Sequence, residues 1–434
     1  MQFKLQPGGV LTGEMRVPGD KSISHRSIML GALAQGTSRI SGFLEGEDAL
    51  ATLSAFRAMG VEIEGPANGE VIVHGVGLHG LKAPSAPLDL GNAGTGMRLI
   101  CGLLAGQEFD TQLTGDVSLQ SRPMGRVIDP LTEMGAKIAS ADGGRPPLVI
   151  SGGRQLRGIK YELPMASAQV KSCVLLAGIY SAGRTTVTEP APTRDHTERM
   201  LRGFGYEVNS DRGTISLEGG GKLQACDIDV PADVSSAAFF LVAASIAPGS
   251  DIVLTHVGIN PTRIGVITIL QLMGADITVQ NEREVGGEPV ADLRVRYAPL
   301  KGIEIPLEQV PLAIDEFPAL FIAAACAEGR TVLRGAQELR VKESDRIAAM
   351  AEGLDTLGVH NEVLDDGIII DGGPMGGGEI RTHHDHRIAM SFAVAALRAE
   401  DVITVLDCDH VATSFPGFDT MSRMLGLNIS ALAD

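Results

Sequence analysis

The sequence predicts an α/β protein of two domains, each built from three copies of one unit about seventy residues long. Three observations carry this prediction. A glycine-closed phrase occurs six times, a small-residue run leading into a β-branched stretch also occurs six times, and a chain of 434 residues is long enough for more than one core.

Each unit opens on a small-residue helix that runs into a strand. The segments are "GALAQGTSRISG", "GLLAGQEFDTQLTG", "LLAGIYSAGRTTVTE", "VAASIAPGSDIVLTH", "AAACAEGRTVLRGA" and "AALRAEDVITVLD". A second helix follows, closed by the other recurring phrase: "FRAMGVEI", "LTEMGAKI", "LRGFGYEV", "LQLMGADI", "LDTLGVHNEV" and "SRMLGLNI". Its constant element is a glycine, at Gly60, Gly135, Gly205, Gly274, Gly358 and Gly426, spaced 68 to 84 residues apart. Each glycine ends an amphipathic run and precedes an alternating apolar segment, the pattern of a helix stop followed by a strand. In "SDRIAAMAEGLDTLG", Ile347, Met350, Leu354 and Leu357 fall on one helical face. One more strand completes the unit. The period is too long for a solenoid, so three units per globular domain fit better, with a boundary near "DIDVPADVSS" (227–236) between the third and fourth.

Composition narrows the function. Hydrophobic residues make up 44%, but aromatics only 4% with no tryptophan, so the core is aliphatic. The formal net charge of −17 argues against sequence-independent binding to nucleic acid or to anionic lipid, both of which need a basic surface. Five scattered cysteines show no metal or redox spacing and suggest a reducing compartment. The start "MQFKLQPGGV" lacks a signal-peptide pattern, and the longest uncharged run, 234–250, carries four serines and a Pro-Gly pair, unlike a membrane span. A cytoplasmic protein is expected.

Against that acidic background, "VPGDKSISHRSIML" gathers Lys21, His25 and Arg26 beside a single acid, Asp20, at a helix start. The other small-residue helices start "GNAGTGMRL", "MASAQVKS", "PADVSSAAF", "AIDEFPALF" and "HHDHRIAMS", all polar. Helix N-termini present unpaired N–H groups and partial positive charge, so each can hold an anion; each alone reads first as ordinary capping, a reading that repetition weakens. Pseudo-threefold packing would bring three such ends to one face of each domain, and two facing domains would make one anion-binding cleft.

"GDKSISHR", "GNAGTGMR", "SRPM", "SAQVKS", "RVKESDR" and "DHRIAM", in this order along nearly the whole chain, resemble the bacterial 3-phosphoshikimate 1-carboxyvinyltransferase (5-enolpyruvylshikimate-3-phosphate synthase) family. The resemblance implies a two-domain inverted α/β barrel of six βαβαββ units, with residues 1–19 and 231–434 in one domain and 20–230 in the other. It implies transfer of the enolpyruvyl group of phosphoenolpyruvate to the 5-hydroxyl of shikimate 3-phosphate. Both substrates are small anions carrying a phosphate and a carboxylate, so local cations are required. By the same resemblance Ser22 and Arg26 would hold the shikimate carboxylate, and Ser167, the backbone of Ala168, Gln169, Arg194 and Lys342 its ring or phosphate. Arg122, Arg346 and Arg387 would clamp phosphoenolpyruvate through their planar forks, with Asn92, Gly94, Gln169 and Lys21 beside it. Lys21 would touch both substrates. The herbicide glyphosate, slightly longer, would occupy the phosphoenolpyruvate pocket.

The chemistry needs a base for the 5-hydroxyl, an acid for the methylene carbon of the enol, and the reverse proton movements to expel phosphate from a tetrahedral phospho-ketal. Asp315 is assigned to the shikimate hydroxyls, Glu343 and Lys21 to proton delivery. Asp315 also reads as a plain N-cap of the apolar helix after it. Two departures from the family pattern matter: Thr413 stands where many relatives have a lysine, and Ala168 replaces a second serine. "THHDHR" (382–387) resembles a metal cluster without a partner ligand set, so neither metal nor cofactor is expected. A monomer is expected. Two other readings are a UDP-N-acetylglucosamine enolpyruvyl transferase, whose reactive loop cysteine has no evident counterpart because Cys101 lies in "RLICGLL", and a non-catalytic anion-binding scaffold.

Overall fold

The computed structural model describes residues 1–433. The chain forms two compact units, one of Met1–Pro18, Pro231–Glu284 and the segment from Glu288 onward, the other of Gly19–Val230 with Val285–Gly287. Each has its own apolar core, and the two sets of core residues do not mix. The first contains Val234–Ile246, Phe317–Ala325 and His386–Ala395 as inner helices; the second contains Lys21–Leu33, Gly94–Leu104 and Ala168–Gly178.

The six inner helices are the small-residue runs of the sequence. Every residue of Val234–Ile246 is buried, so this helix has no polar face and depends on small side chains for close contact with its neighbours. The same economy lets helix meet helix at Gly102, where a β-carbon would come within 2.3 Å of the Cys173 carbonyl oxygen. The outer helices are Glu47–Ala58, Gly125–Glu133, His196–Gly203, Gly265–Leu272, Arg346–Thr356 and Phe418–Leu425. Each is followed within two residues by one of the six recurring glycines, all with φ between +77° and +119°, the left-handed stop that other residues adopt only under strain.

Six small sheets follow the repeat. In the second repeat the strands run Leu88–Asp89, Thr111–Thr114, Arg145–Ser151, Lys137–Ala141, with the first pair parallel across the inner helix and the others antiparallel. The same order recurs in the third repeat. In the first and fourth repeats the short parallel strand comes from far along the chain. Ile228–Asp229 pairs with Gln35–Ser41, and Thr12–Met15 pairs with Asp251–Gly258. In the last repeat, Gln2–Gly9 takes the hairpin position between Ile403–Leu406 and Leu427–Leu432. Its alternation places Phe3 and Leu5 in the core, and Phe3, Phe239, Phe240, Phe415 and Phe418 form a cluster of tilted and edge-to-face rings with centroids 5.3 to 6.3 Å apart.

The polar helix starts are more varied than simple capping predicts. Asp20, Ser167, Asp233 and Asp385 cap their helices through the side chain, whereas the cap residues Ala93 and Glu316 do not. Asp315 therefore does not cap Phe317–Ala325, and its local reading as an N-cap is corrected.

Candidate active site

In the second unit, Asp20 fixes the start of Lys21–Leu33 by accepting the Ile23 N–H at 2.8 Å. Lys21 thereby stands in the first turn, where its Nζ lies 2.9 Å from Asp48 Oδ2 with both side chains largely buried. His25 is fully buried, with Nδ1 2.8 Å from Thr52 Oγ1. Burial, reinforced by the charges of Lys21 and Arg26, pushes its imidazole down to about 3. The basic cluster accordingly contains two cations and a neutral histidine. Arg26 is nearly buried: Nε donates to Thr197 Oγ1 at 2.7 Å, Nη1 to the Ser22 carbonyl at 2.9 Å and Nη2 to Ser172 Oγ at 2.8 Å. Ser22 meets Arg26 through its backbone.

The start of Gly94–Leu104 is built around arginine. Arg122 Nη2 donates to Asn92 Oδ1 at 2.5 Å and to Ser118 Oγ at 3.0 Å, while Asn92 Nδ2 donates to Asp116 Oδ2 at 2.8 Å. A β-carbon on Gly94 would lie 2.9 Å from Arg122 Nη1 and 3.3 Å from Arg98 Nη1. Arg98 in turn donates to Gln169 Oε1 at 2.8 Å, and Gln169 Nε2 to Thr95 Oγ1 at 2.9 Å. Asn92, Gly94, Arg122 and Gln169 are thus one connected group, joined through Arg98, which the sequence did not single out; nor did it single out Asp48, the partner of Lys21. Ser167 caps the helix that Ala168 begins, and Ala168 offers that turn only backbone. Arg194 is half-buried in the irregular segment between Arg184–Thr188 and His196–Gly203.

In the first unit, Arg346 is the hub. It is 1% exposed, and its Nε donates to Asp385 Oδ2 at 2.8 Å, its Nη1 to Asp315 Oδ1 at 3.1 Å and its Nη2 to Glu343 Oε2 at 2.6 Å. Burial works against its charge, but Asp385, Glu343 and Asp315 outweigh burial and hold its pKa above the ordinary arginine value. Lys342 Nζ lies 3.5 Å from Asp315 and 2.9 Å from Glu338. Asp385 is fully buried; it also accepts from Ser344 Oγ at 3.0 Å and caps the helix of Arg387 through the Arg387 N–H at 2.9 Å. The Arg387 guanidinium has no protein hydrogen-bond partner among the described residues, and the side chain is buried.

The neighbouring histidines diverge, His383 to Glu352 at 2.8 Å and His384 edge-on to His410 at 5.1 Å. Thr413, at the usual lysine position, is buried and donates to the His410 carbonyl at 2.7 Å. Cys101 is buried inside a helix, and burial pushes its thiol up to about 12, far from a reactive thiolate.

A family model described as EPSP synthase (3-phosphoshikimate 1-carboxyvinyltransferase) matches residues 5–421. A 3-phosphoshikimate 1-carboxyvinyltransferase of Alkalilimnicola ehrlichii is 68% identical over 431 residues, covering 99% of this chain and 97% of that protein. One of Methylococcus capsulatus is 65% identical over 427 residues, with 98% of each covered. Among solved structures, an EPSP synthase of Acinetobacter baumannii is 60% identical, superposes with a TM-score of 0.89 and covers 99% of both chains.

Proposed function

The chain belongs to the EPSP synthase family, and from that premise we propose how its residues divide the work of transferring the enolpyruvyl group of phosphoenolpyruvate to the 5-hydroxyl of shikimate 3-phosphate. Arg122, Arg346 and Arg387 bind phosphoenolpyruvate, with Lys21, Asn92, Gly94 and Gln169 beside it. Ser22, Arg26, Ser167, the Ala168 backbone, Gln169, Arg194 and Lys342 bind shikimate 3-phosphate. The two domains of the reading are 1–19 with 231–434, and 20–230, and the enzyme works as a cytoplasmic monomer.

The observation that carries the chemical assignment is the sharing of one buried guanidinium by Asp315 and Glu343. Without substrate, Arg346 keeps both as its counter-charges. An anionic substrate drawn to Arg346 competes with them, and a carboxyl group that loses its guanidinium partner holds a proton more readily. Asp315 then accepts the proton of the 5-hydroxyl as that oxygen attacks C2 of phosphoenolpyruvate. Glu343, with Lys21, delivers a proton to C3, giving the tetrahedral phospho-ketal. Return of one C3 proton to Glu343 and expulsion of phosphate from C2 re-form the C2–C3 double bond, now in an enol ether.

Kinetics in deuterated water test this division. Asp315→Ala should lower kcat by about 10²-fold or more, with phosphoenolpyruvate binding largely retained by the arginines. Glu343→Ala should slow entry of solvent deuterium into the enolpyruvyl methylene, with little change in the KM for shikimate 3-phosphate. Full activity in either folded variant, or undiminished deuterium entry in Glu343→Ala, would contradict the assignment.

A further inference from the structure

A fully buried ammonium lies against the segment that carries Arg194. Lys171, in helix Ala168–Gly178, has no exposed surface. Its Nζ lies 2.8 Å from Glu198 Oε1 and 3.1 Å from Glu189 Oε2, and it donates to the Thr193 carbonyl at 3.4 Å. Both carboxylate side chains are buried as well, 8% exposed at Glu189 and 1% at Glu198. Thr193 Oγ1 closes the ring by donating to Glu189 Oε2 at 2.6 Å. An ammonium has three N–H donors, and these three oxygens at positions 189, 193 and 198 are there to meet them.

The positions bracket Arg194. Residues 189–195 form neither helix nor strand, and with Pro190 and Pro192 among them they have few backbone donors with which to hold a shape. Lys171 grips the segment at its entry, at the residue before Arg194, and in the first turn of the helix that follows. A second link runs from the same elements to Arg26: Thr197 Oγ1 donates to Ser172 Oγ at 2.8 Å, and Arg26 donates to both hydroxyls. Taking an ammonium and two carboxylates out of water opposes folding, and apolar residues of like volume often serve stability as well. A cluster with that energetic handicap is better suited to selecting one conformation than to adding stability.

We infer that Lys171 is a positioning residue that sets Arg194 on its anion and thereby governs affinity for shikimate 3-phosphate. Its burial keeps it from touching substrate. The inference rests on the assignment of Arg194 to that substrate.

The test compares a variant carrying Lys171→Met, Glu189→Gln and Glu198→Gln, which leaves no unpaired charge in the interior, with Arg194→Ala. With the triple variant folded by circular dichroism, its KM for shikimate 3-phosphate should rise about tenfold or more, while kcat and the KM for phosphoenolpyruvate stay within about twofold. Arg194→Ala should raise the same KM. A triple variant with a lower Tm and an unchanged KM, beside an Arg194→Ala with a raised one, would overturn the positioning role. An unmoved KM in Arg194→Ala would remove the premise, and the proposal with it. Should the triple variant not fold, Glu198→Gln, which keeps side-chain volume, should raise the same KM by a smaller factor, and an unchanged KM there would equally overturn the role.

Discussion

Gly94 stands 2.9 Å, measured from its virtual β-carbon, from the Arg122 guanidinium, so a methyl group there must displace the arginine that Asn92 holds in place. Its φ lies outside the left-handed region, which leaves alanine free of backbone strain. Gly94→Ala should weaken glyphosate inhibition by a larger factor than it raises the KM for phosphoenolpyruvate, because the longer ligand has less room to shift. Paired inhibition and saturation curves check this, and equal changes in both constants would place Gly94 away from the pocket wall. His25 supports a different prediction. Its folded pKa of about 3 lies below the unfolded value near 6.5, so between those limits the unfolded chain binds the extra proton and stability falls as pH falls. The slope is about 1.4 kcal/mol per pH unit well inside that window. His25→Gln should flatten stability against pH between 6 and about 4.5 relative to the parent in urea titrations. Parallel curves would mean that His25 is protonated in the folded protein. That neutrality is invisible in "KSISHR", where histidine beside lysine and arginine reads as one more cation; burial, a property of the folded chain, decides it. Asp315 shows the same limit. Sequence places it before a helix, but the partner that gives it meaning, Arg346, lies 31 residues away.

Among the elements, the helix stops were the most legible feature, because a left-handed residue after a helix is a local demand that glycine alone meets without strain. Gly358 has φ +77° with nothing within 4 Å of a virtual β-carbon, so Gly358→Ala should destabilise by backbone strain alone, about 1–2 kcal/mol. Gly102 has the opposite problem: its backbone is relaxed, but a methyl would meet the Cys173 carbonyl at 2.3 Å. Gly102→Ala should therefore lose about 1–3 kcal/mol or more by forcing two inner helices apart. Urea unfolding of the two variants measures both, and an unperturbed Gly102→Ala would contradict the close helix contact. The inner helices were legible from their small residues, and most of their polar starts from Asp and Ser. Asp385 was legible as a helix-start group beside Arg387, but Asp48 and Arg98 were not legible, since each acquires its role from a partner 27 or 71 residues distant.

At the scale of the whole molecule, a chain with a formal net charge of −17 can hold anionic substrates only where cations are concentrated locally, and polar helix starts recur from repeat to repeat in both units. The sixfold count and the α/β class were readable from periodicity. The exchange of parallel strands, Thr12–Met15 beside Asp251–Gly258 and Ile228–Asp229 beside Gln35–Ser41, was not, because strand pairing over about two hundred residues leaves no local pattern. The chemistry claimed for the molecule joins one substrate to the other and expels phosphate only after they are joined. Phosphate release from protein mixed with phosphoenolpyruvate alone, shikimate 3-phosphate alone, or both tests that most directly. Phosphate is expected only in the complete mixture, in step with loss of phosphoenolpyruvate; release from either substrate alone, or none from the two together, would contradict the proposed transfer.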